Sequence, residues 1–376
     1  MTTHMPALEV ATRLERLRET LADAEVDALV VTTLANVRYL TGFTGSAGVV
    51  VVTEKGATLT TDGRYRTQSA EQLATAAVDS MVAITIGDAQ TQRDAVRAAL
   101  VDAAAGRIGL EADNVTWSSQ RRWAELLEEA GSLVPTTGVV EALRQVKDAG
   151  EIARMARAAA IADDALREVL PLFAEAGRRS VTELEFALAL DTAMRRGGAE
   201  DRAFDTIVAA GPNSAKPHHQ PTERSIAPGD PVVVDFGATY EGYRSDMTRT
   251  FCIGGEPEGE LARVFAVVTE SQAKGVAAVG PGAAARDVDQ VCRDVIAEAG
   301  WAERFEHGTG HGVGLDIHEA PTVSPLGTAI LAPGVVVTVE PGVYLPGVGG
   351  VRIEDTLVVT EDGSRPLTTF TKDVAA

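Results

Sequence analysis

Three carboxylates in this chain directly follow strongly apolar, β-branched runs. They are Asp235, Glu340 and Glu354, each preceded by three or four residues that are mostly valine or isoleucine. A carboxylate among such residues loses its hydration, and this loss is costly unless a partner compensates for it. The pattern therefore predicts a fold in which these acids share a partner, and a bound cation would serve all of them.

Two further residues extend this set. Asp246 lies between the first two acids, and His311 lies in the glycine-rich stretch Gly308–Gly314. Four carboxylates and one imidazole form an oxygen-rich ligand set, typical of Mn, Co, Fe or Zn sites rather than of thiolate sites. Two cations would neutralise four carboxylates better than one. Taken alone, Asp235 could equally cap a turn, and His311 alone is as consistent with a structural role as with a metal ligand. The prediction therefore depends on the occurrence of all five residues together.

Composition narrows the class of protein. A chain of 376 residues can bury a full core and is expected to form two domains. With 54 acidic and 34 basic residues, the net charge of −20 argues against a nucleic-acid partner. The two cysteines, Cys252 and Cys292, support neither a disulfide framework nor a thiolate metal site. The N-terminus lacks a signal-peptide pattern, and no apolar run reaches about 18 residues, so we expect a cytoplasmic protein without a membrane span.

Helical and strand-like patterns alternate through the first part of the chain. This alternation predicts an α/β domain over residues 1–140. The stretch 36–48 is predicted as a glycine-punctuated turn region. The predicted helices cover 8–25, 65–77, 90–104 and 118–130, and the predicted strands cover 28–31, 49–52, 57–61, 81–86 and 107–111.

The pattern changes near residues 139–148, which predicts a second domain over 141–376. Helices are predicted over 148–176 and 182–197, the first broken by Pro171 and followed by Gly177 as a C-cap. Strand-like segments then dominate, with helices only near 258–279 and 286–299, so the second domain is predicted to be α+β with a mainly antiparallel sheet. The order of helices and strands over 150–255 is weakly repeated over 258–360, which leaves an internal duplication open.

Five of the six histidines lie between positions 218 and 318. Such clustering favours a shared site over scattered surface positions. His219 and His307 are predicted to be supporting hydrogen-bond partners rather than ligands. The glycine stretch around His311 is not a dinucleotide fingerprint, because its register meets Val313 where glycine is needed, and it lacks the Lys-Ser/Thr of a phosphate loop.

Ten ordered motifs together resemble the pita-bread metallopeptidases that cleave Xaa-Pro bonds, aminopeptidase P and prolidase, in their bacterial cytoplasmic form. The resemblance covers nearly the whole chain and implies a creatinase-like α/β N-terminal domain followed by an α+β pita-bread domain. The motifs are Asn36–Gly48, Thr61–Arg66, Val208–Asn213, Pro217–His218, Asp235–Gly237, Gly242–Thr250, Gly310–Gly314, His318–Pro321, Thr338–Gly342 and Gly350–Asp355.

The resemblance also implies roles for individual residues. It implies that two divalent metal ions, commonly Mn and sometimes Co or Zn, activate water for attack on the carbonyl before proline. The catalytic residues would be His218 and His318, which contact the carbonyl or oxyanion, and Glu340, which transfers the proton. Arg352 and Thr248 would orient ligand oxygens, and the protein would form a homodimer. The implied metal ligands are Asp235, Asp246, His311, Glu340 and Glu354, of which Asp246 and Glu354 would bridge the two ions.

The sequence favours an Xaa-Pro aminopeptidase, with prolidase as the alternative. A dipeptidase needs a cation for the proline carboxylate, and the stretch 319–334 contains neither Arg nor Lys. Arg64 or Arg66 of a second subunit could supply that charge. Creatinase does not retain the five ligands, and methionine aminopeptidase usually lacks so long an N-terminal domain. A non-catalytic pita-bread binding scaffold is the alternative from another functional class.

Overall fold

The computed structural model describes residues 5–176 and 179–373. Contacts divide these residues into two units, one formed by residues 7–144 and the other by residues 5–6 together with 145–373. The predicted C-cap Gly177 lies outside the described residues.

The unit of residues 7–144 is built on a mixed six-stranded sheet flanked by helices. Strand β1 lies centrally, antiparallel to β2 and parallel to β5, in the order β4-β3-β2-β1-β5-β6. Strands and helices alternate as the sequence predicts. Its elements are α1 (Val10–Leu21), β1 (Ala28–Val31), α2 (Leu34–Thr41), β2 (Val49–Thr53), β3 (Ala57–Thr61), α3 (Arg66–Thr75), β4 (Val82–Ile86), α4 (Ala89–Ala103), β5 (Arg107–Glu111), α5 (Trp117–Leu127), β6 (Ser132–Thr136) and α6 (Val139–Arg144).

The turn region predicted over 36–48 is wrong in its first part, because α2 occupies Leu34–Thr41. Val37 and Leu40 are buried at helical spacing. Gly42 then ends the helix in the left-handed conformation, with φ of 74°. The first glycine of the motif therefore marks the end of a helix. Strand β6 and helix α6 are also absent from the sequence prediction.

The second unit contains longer helices and short antiparallel strands. Every pair of its strands within the described residues is antiparallel. Its helices are α7 (Ala149–Val169), α8 (Pro171–Glu175), α9 (Glu183–Arg196), α10 (Gly259–Ala278) and α11 (Ala285–Glu298). Its strands are β7 (Asp201–Arg202), β8 (Ile207–Ala210), β9 (Pro231–Phe236), β10 (Ala238–Tyr240), β11 (Tyr243–Arg244), β12 (Met247–Cys252), β13 (Gly310–Gly312), β14 (Glu319–Val323), β15 (Val336–Val339), β16 (Gly342–Leu345), β17 (Gly349–Arg352), β18 (Asp355–Val359) and β19 (Ser364–Pro366).

Two apolar cores lie in this unit, one in each half of its sequence. In the first, Phe186 and Leu190 of α9 pack with Phe236 of β9. In the second, Val268 of α10 packs with residues of α11 and the later strands, such as Val337. Each half therefore consists of two long helices that cover antiparallel strands. No helix in the described part of the chain combines the length and apolar character needed to cross a membrane.

Candidate metal centre

Two of the predicted ligands come from neighbouring strands of the first half. Strands β9 and β12 pair so that Asp235 lies opposite Thr248 and Phe236 opposite Met247. Asp246 directly precedes β12, so the antiparallel pairing brings it close to Asp235. The valines before Asp235 are buried in the sheet, which explains why this acid follows an apolar run.

The other three predicted ligands come from the second half. His311 lies in β13, Glu340 directly follows β15, and Glu354 lies between β17 and β18. Glycines flank His311 because neighbouring strands approach its backbone closely. A Cβ atom on Gly310 would lie 2.0 Å from the carbonyl oxygen of Thr338, and one on Gly312 would lie 2.3 Å from that of Ala320. Any side chain at these positions would push His311 away from its place.

The predicted site residues all line one cavity of about 520 Å³. Ligand atoms of Asp235, Asp246 and Glu354 lie within 4.8 Å of one another. The Nε2 atom of His311 lies 3.5 Å from Oδ2 of Asp246 and 3.5 Å from Oε1 of Glu340. Asp246 therefore belongs to two adjacent groups of potential ligands. The full set comprises Asp235, Asp246, His311, Glu340 and Glu354, together with His218 and His318.

The acids of the cavity are electrostatically unfavourable as anions. Burial, followed by the charges of Glu354 and Asp235, raises the pKa of Asp246 well above its usual value. Burial, followed by Glu340 and Asp235, does the same to the pKa of Glu354. Burial also raises the pKa of Glu340 to about 8, against the opposing charge of Arg352. Without a cation, these groups must hold protons or accept strong mutual repulsion.

His311 is arranged as a neutral ligand. Burial lowers its pKa to about 4. Its Nδ1 atom lies 3.0 Å from the carbonyl oxygen of Gly312, which can only accept, so Nδ1 carries the hydrogen. The lone pair is then on Nε2, the atom that faces Asp246 and Glu340.

The residues present fit one or more divalent cations. Oδ1 of Asp235 is buried and has no hydrogen-bond partner within the described structure. A buried carboxylate oxygen without a donor is costly, and a cation would remove that cost. Carboxylate oxygens and a neutral imidazole nitrogen are suitable ligands for first-row divalent metals.

Arg352 and Thr248 each donate a hydrogen bond to one carboxylate of the cavity, Arg352 to Asp235 and Thr248 to Glu354. Arg352 donates from Nη2 to Oδ2 of Asp235 at 2.6 Å and from Nε to Oγ1 of Thr248 at 3.1 Å. Thr248 in turn donates to Oε2 of Glu354 at 2.8 Å. This chain of hydrogen bonds fixes the orientation of two carboxylates, as the resemblance implies.

Comparison with known proteins identifies the family. Residues 153–361 match metallopeptidase family M24, and residues 13–146 match the creatinase/prolidase N-terminal domain. The chain belongs to metallopeptidase family M24. An uncharacterized peptidase, YqhT, from Bacillus subtilis (strain 168) is 40% identical over 364 residues, which cover 96% of this chain and 99% of that protein.

Two solved structures show how closely the M24 fold is shared. A Xaa-Pro dipeptidase from Bacillus anthracis has 38% identity and a TM-score of 0.91, over 98% of this chain and 100% of that one. An X-Pro aminopeptidase from Thermotoga maritima MSB8 has 34% identity and a TM-score of 0.85, over 97% of this chain and 100% of that one. The fold class and the family resemblance predicted from the motifs are therefore confirmed.

The sequence did not predict two hydrogen-bonded pairs at this M24 site. His307 and His219 are supporting partners, as predicted, but their partners were not foreseen. His307 bonds through Nε2 to the hydroxyl of Tyr344 at 2.8 Å, and that hydroxyl also accepts from Nη1 of Arg352. His219 bonds through Nε2 to Oε2 of Glu183 at 2.9 Å. Neither Tyr344 nor Glu183 stands out in the sequence, since each belongs to an ordinary strand or helix pattern.

Proposed function

We propose that this M24 peptidase hydrolyses the peptide bond before proline and releases the N-terminal residue from Xaa-Pro peptides longer than two residues. The preference for longer peptides over dipeptides is inferred from the positive charges that line the cavity. Among the described residues that line the cavity, Arg352 is the only Arg or Lys. Its guanidinium already donates to Asp235, Thr248 and Tyr344. The free carboxylate of an Xaa-Pro dipeptide would find no unpaired cation on these walls.

The geometry supports two divalent cations. Asp235 would hold one ion, His311 and Glu340 would hold the other, and Asp246 and Glu354 would contribute to both, with Mn the expected metal and Co or Zn as alternatives. When bound, such ions polarise a carbonyl group and lower the pKa of a water molecule.

Side chains of this protein would position the substrate and move the proton. Glu340 is half-buried at the cavity wall, and desolvation raises its pKa to about 8, so its carboxyl would take up a proton far more readily than a fully exposed acid. His318 packs its ring against His311, with 4.4 Å between ring centroids. Burial, followed by the charge of His218, lowers the pKa of His318, so it would donate an N–H to the carbonyl oxygen as a neutral ring.

Selection for proline would depend on shape. The imino nitrogen of an Xaa-Pro bond carries no hydrogen, so the enzyme gains nothing from an acceptor at that point. The cavity instead offers apolar side chains, Phe204, Ile207 and Ile317, on its walls. A pyrrolidine ring would pack against such surfaces, whereas a residue with a free N–H would leave that donor unpaired.

A Xaa-Pro dipeptidase is the second candidate. The observation that favours it is the close structural similarity to the Xaa-Pro dipeptidase from Bacillus anthracis, set against the similar likeness to the Thermotoga aminopeptidase. A non-catalytic scaffold is disfavoured because a binding protein has no need to gather four carboxylates and a neutral imidazole around one cavity.

A direct assay separates these candidates. The Mn-loaded protein is incubated with an Xaa-Pro dipeptide, the matched Xaa-Pro-Xaa tripeptide, and an Xaa-Ala-Xaa control. Faster cleavage of the tripeptide, with little cleavage of the alanine control, is the expected result. Faster cleavage of the dipeptide would make the protein a dipeptidase, and no cleavage with metal bound would favour the scaffold. The homodimer stays a prediction, and light scattering in solution tests it.

A further inference from the structure

Glu183 is a buried carboxylate outside the metal centre that is fully hydrogen-bonded. It is the first residue of α9 and has 0% of its surface exposed. Oε1 accepts from the backbone N–H of Ala210 at 2.8 Å and from Asn213 at 3.0 Å. Oε2 accepts from the backbone of Thr222 at 3.0 Å and from its hydroxyl at 2.6 Å, and it lies 2.9 Å from Nε2 of His219.

These partners belong to one stretch of chain. Ala210 and Thr222 bracket a loop that begins with the 3₁₀ turn Gly211–Ala215 and contains His218. Glu183 therefore holds both ends of this loop and also His219, the residue next to His218. Burial of the Glu183 carboxylate opposes its ionisation, yet hydrogen bonds led by that of Thr222 outweigh burial and lower its pKa, so the anchor is an anion.

The opposite side of the loop contacts the strand that carries Arg352. The backbone N–H of Gly350 donates to Oγ of Ser214 at 2.7 Å. A Cβ atom on Gly350 would lie 2.2 Å from the carbonyl oxygen of Ser214, so strand and loop are in direct contact. Nη1 of Arg352 also donates to the carbonyl oxygen of Pro217 at 3.4 Å. The loop is thus held between α9 and β17.

The His218 side chain itself is exposed and makes no hydrogen bond within the described part of the chain. Its ring lines the cavity, but no hydrogen bond to the ring within the described residues holds it in that position. The position of His218 relative to the acids must therefore come from the backbone of its loop.

We propose that Glu183 is a positioning residue for His218. Through His219 and Thr222 it fixes the loop backbone, and the backbone sets where the His218 imidazole meets the scissile carbonyl. The inference rests on the proposed function only in taking His218 to contact the substrate. Glu183 is not among the residues that line the cavity, so its effect on the reaction passes through the loop.

A pair of matched variants tests this role. Glu111 is also buried and also accepts five hydrogen bonds, from Thr32, Thr33 and Asn36. It lies in the unit of residues 7–144, which contributes no residue to the cavity. In Glu183→Gln the amide nitrogen must face a backbone N–H in either orientation, that of Ala210 or that of Thr222, so the loop must shift. We expect kcat per folded, metal-replete molecule to fall about 100-fold with KM nearly unchanged, because misplacement by about 1 Å has effects of this size.

Glu111→Gln serves as the control for a merely structural acid. It should lower stability by a similar amount while kcat stays within about 2-fold of the wild type, since no group of the cavity moves. Equal kcat losses in both variants, or a wild-type kcat in Glu183→Gln, would overturn the proposal.

Substitutions at His219 test the same contact while Glu183 itself stays unchanged. The amide nitrogen of glutamine can occupy the place of Nε2 and donate to Glu183, whereas phenylalanine fills the volume but cannot donate. We expect His219→Phe to lose about 10- to 100-fold in kcat, and His219→Gln to regain most of that loss. If both variants lose kcat equally, His219 acts on the substrate itself and the positioning role fails.

A structural readout separates this proposal from the proposed function. Crystal structures of the wild type and Glu183→Gln, both loaded with Mn, should show residues 216–220 displaced and the His218 ring moved from the cavity wall in the variant. An unchanged His218 ring would contradict the proposal even if the enzyme cleaves Xaa-Pro peptides. A displaced ring would support the positioning of His218 even if the wild type proved inactive on every peptide, a result that would remove only the proposed function.

Discussion

Two groups of buried carboxylates in the same unit differ in how the protein treats them. Glu183 accepts five hydrogen bonds, and its pKa is lowered despite complete burial. In the metal centre, Glu354 accepts one bond from a hydroxyl, and Oδ1 of Asp235 accepts none within the described structure. The pKa values of Asp246, Glu340 and Glu354 are raised. Glu183, Asp246 and Glu354 are all buried, so the supply of donors and the mutual repulsion of the cavity acids make the difference.

Asp289 of α11 follows the same pattern as Glu183. It accepts from the backbone and hydroxyl of Thr309 and pairs with Arg293. The protein therefore supplies donors to its structural acids in both halves of the unit. Among the described residues Oδ1 of Asp163 also lacks a partner, although its Oδ2 accepts two hydrogen bonds from Thr369. The cavity is where acids with raised pKa values lie together, and this grouping indicates that the missing partner comes from outside the chain.

Removal of metal should have the largest effect. We expect dialysis against a chelator to abolish hydrolysis and re-addition of Mn to restore it. The stability gained from metal should grow with pH, because the carboxyl of Glu340 binds a proton in the folded apoprotein up to about pH 8 but only up to its ordinary value of 4.5 when unfolded. The folded apoprotein is thus progressively destabilised as pH rises through that window. Thermal unfolding of both forms between pH 5 and pH 8.5, about the span of that window, measures the gap.

A gap that stays constant with pH would mean that the acids already have partners in the apoprotein. The contrast with Glu183 would then fail.

Asp246→Asn should nearly equal metal removal in its effect on activity. We expect at least a ~1,000-fold loss of kcat/KM and a loss of bound metal, since a neutral amide is a poor ligand shared between two ions. The metal-free variant should nevertheless unfold at a higher temperature than the metal-free wild type at pH 8, because it removes a buried negative charge. Elemental analysis and calorimetry of both proteins provide the measurement, and a less stable variant would contradict the prediction.

Glu183→Gln should change stability in the opposite direction, with metal retained. Because its pKa is lowered from 4.5, the Glu183 anion contributes stability above that pH, and the contribution is lost as pH falls through the lower folded value. We expect a cost of about 3 kcal/mol at pH 7 and a smaller cost in acid. Denaturant unfolding at pH 7 and in acid tests this, and a cost independent of pH would show that the charge of Glu183 is irrelevant.

Thr248→Val should have the smallest effect. It removes the hydroxyl that donates to Glu354 and accepts from Arg352 while preserving side-chain shape. Loss of such an orienting bond typically weakens metal binding by about 10-fold. Titration with Mn measures the change, and Thr250→Val, whose hydroxyl donates to the carbonyl of Arg352, is the matched control on the same strand. Equal weakening in both variants would show that the bond to Glu354 has no special role.

Sequence reasoning found the cavity residues because their signals are local. An acid after a valine run, a histidine between glycines, and ordered family motifs each occupy a few consecutive residues. The partners of Glu183 and Tyr344 could not be found in that way, since the Glu183–His219 contact joins residues 36 positions apart. Helix α2 was missed because the glycines after Thr41 dominate its local pattern. Local sequence patterns therefore identify the residues of the cavity, whereas the residues that support them are determined by long-range packing.

The contacts that support the metal centre also determine when it can form during folding. The bond between Thr248 and Glu354 joins residues 106 positions apart, and that between Arg352 and Asp235 spans 117. Closure of such long segments is slow and depends on nearly complete topology. Cation uptake during refolding should therefore lag behind helix formation, and the absorption band of a bound Co²⁺ ion would report the arrival of the native state.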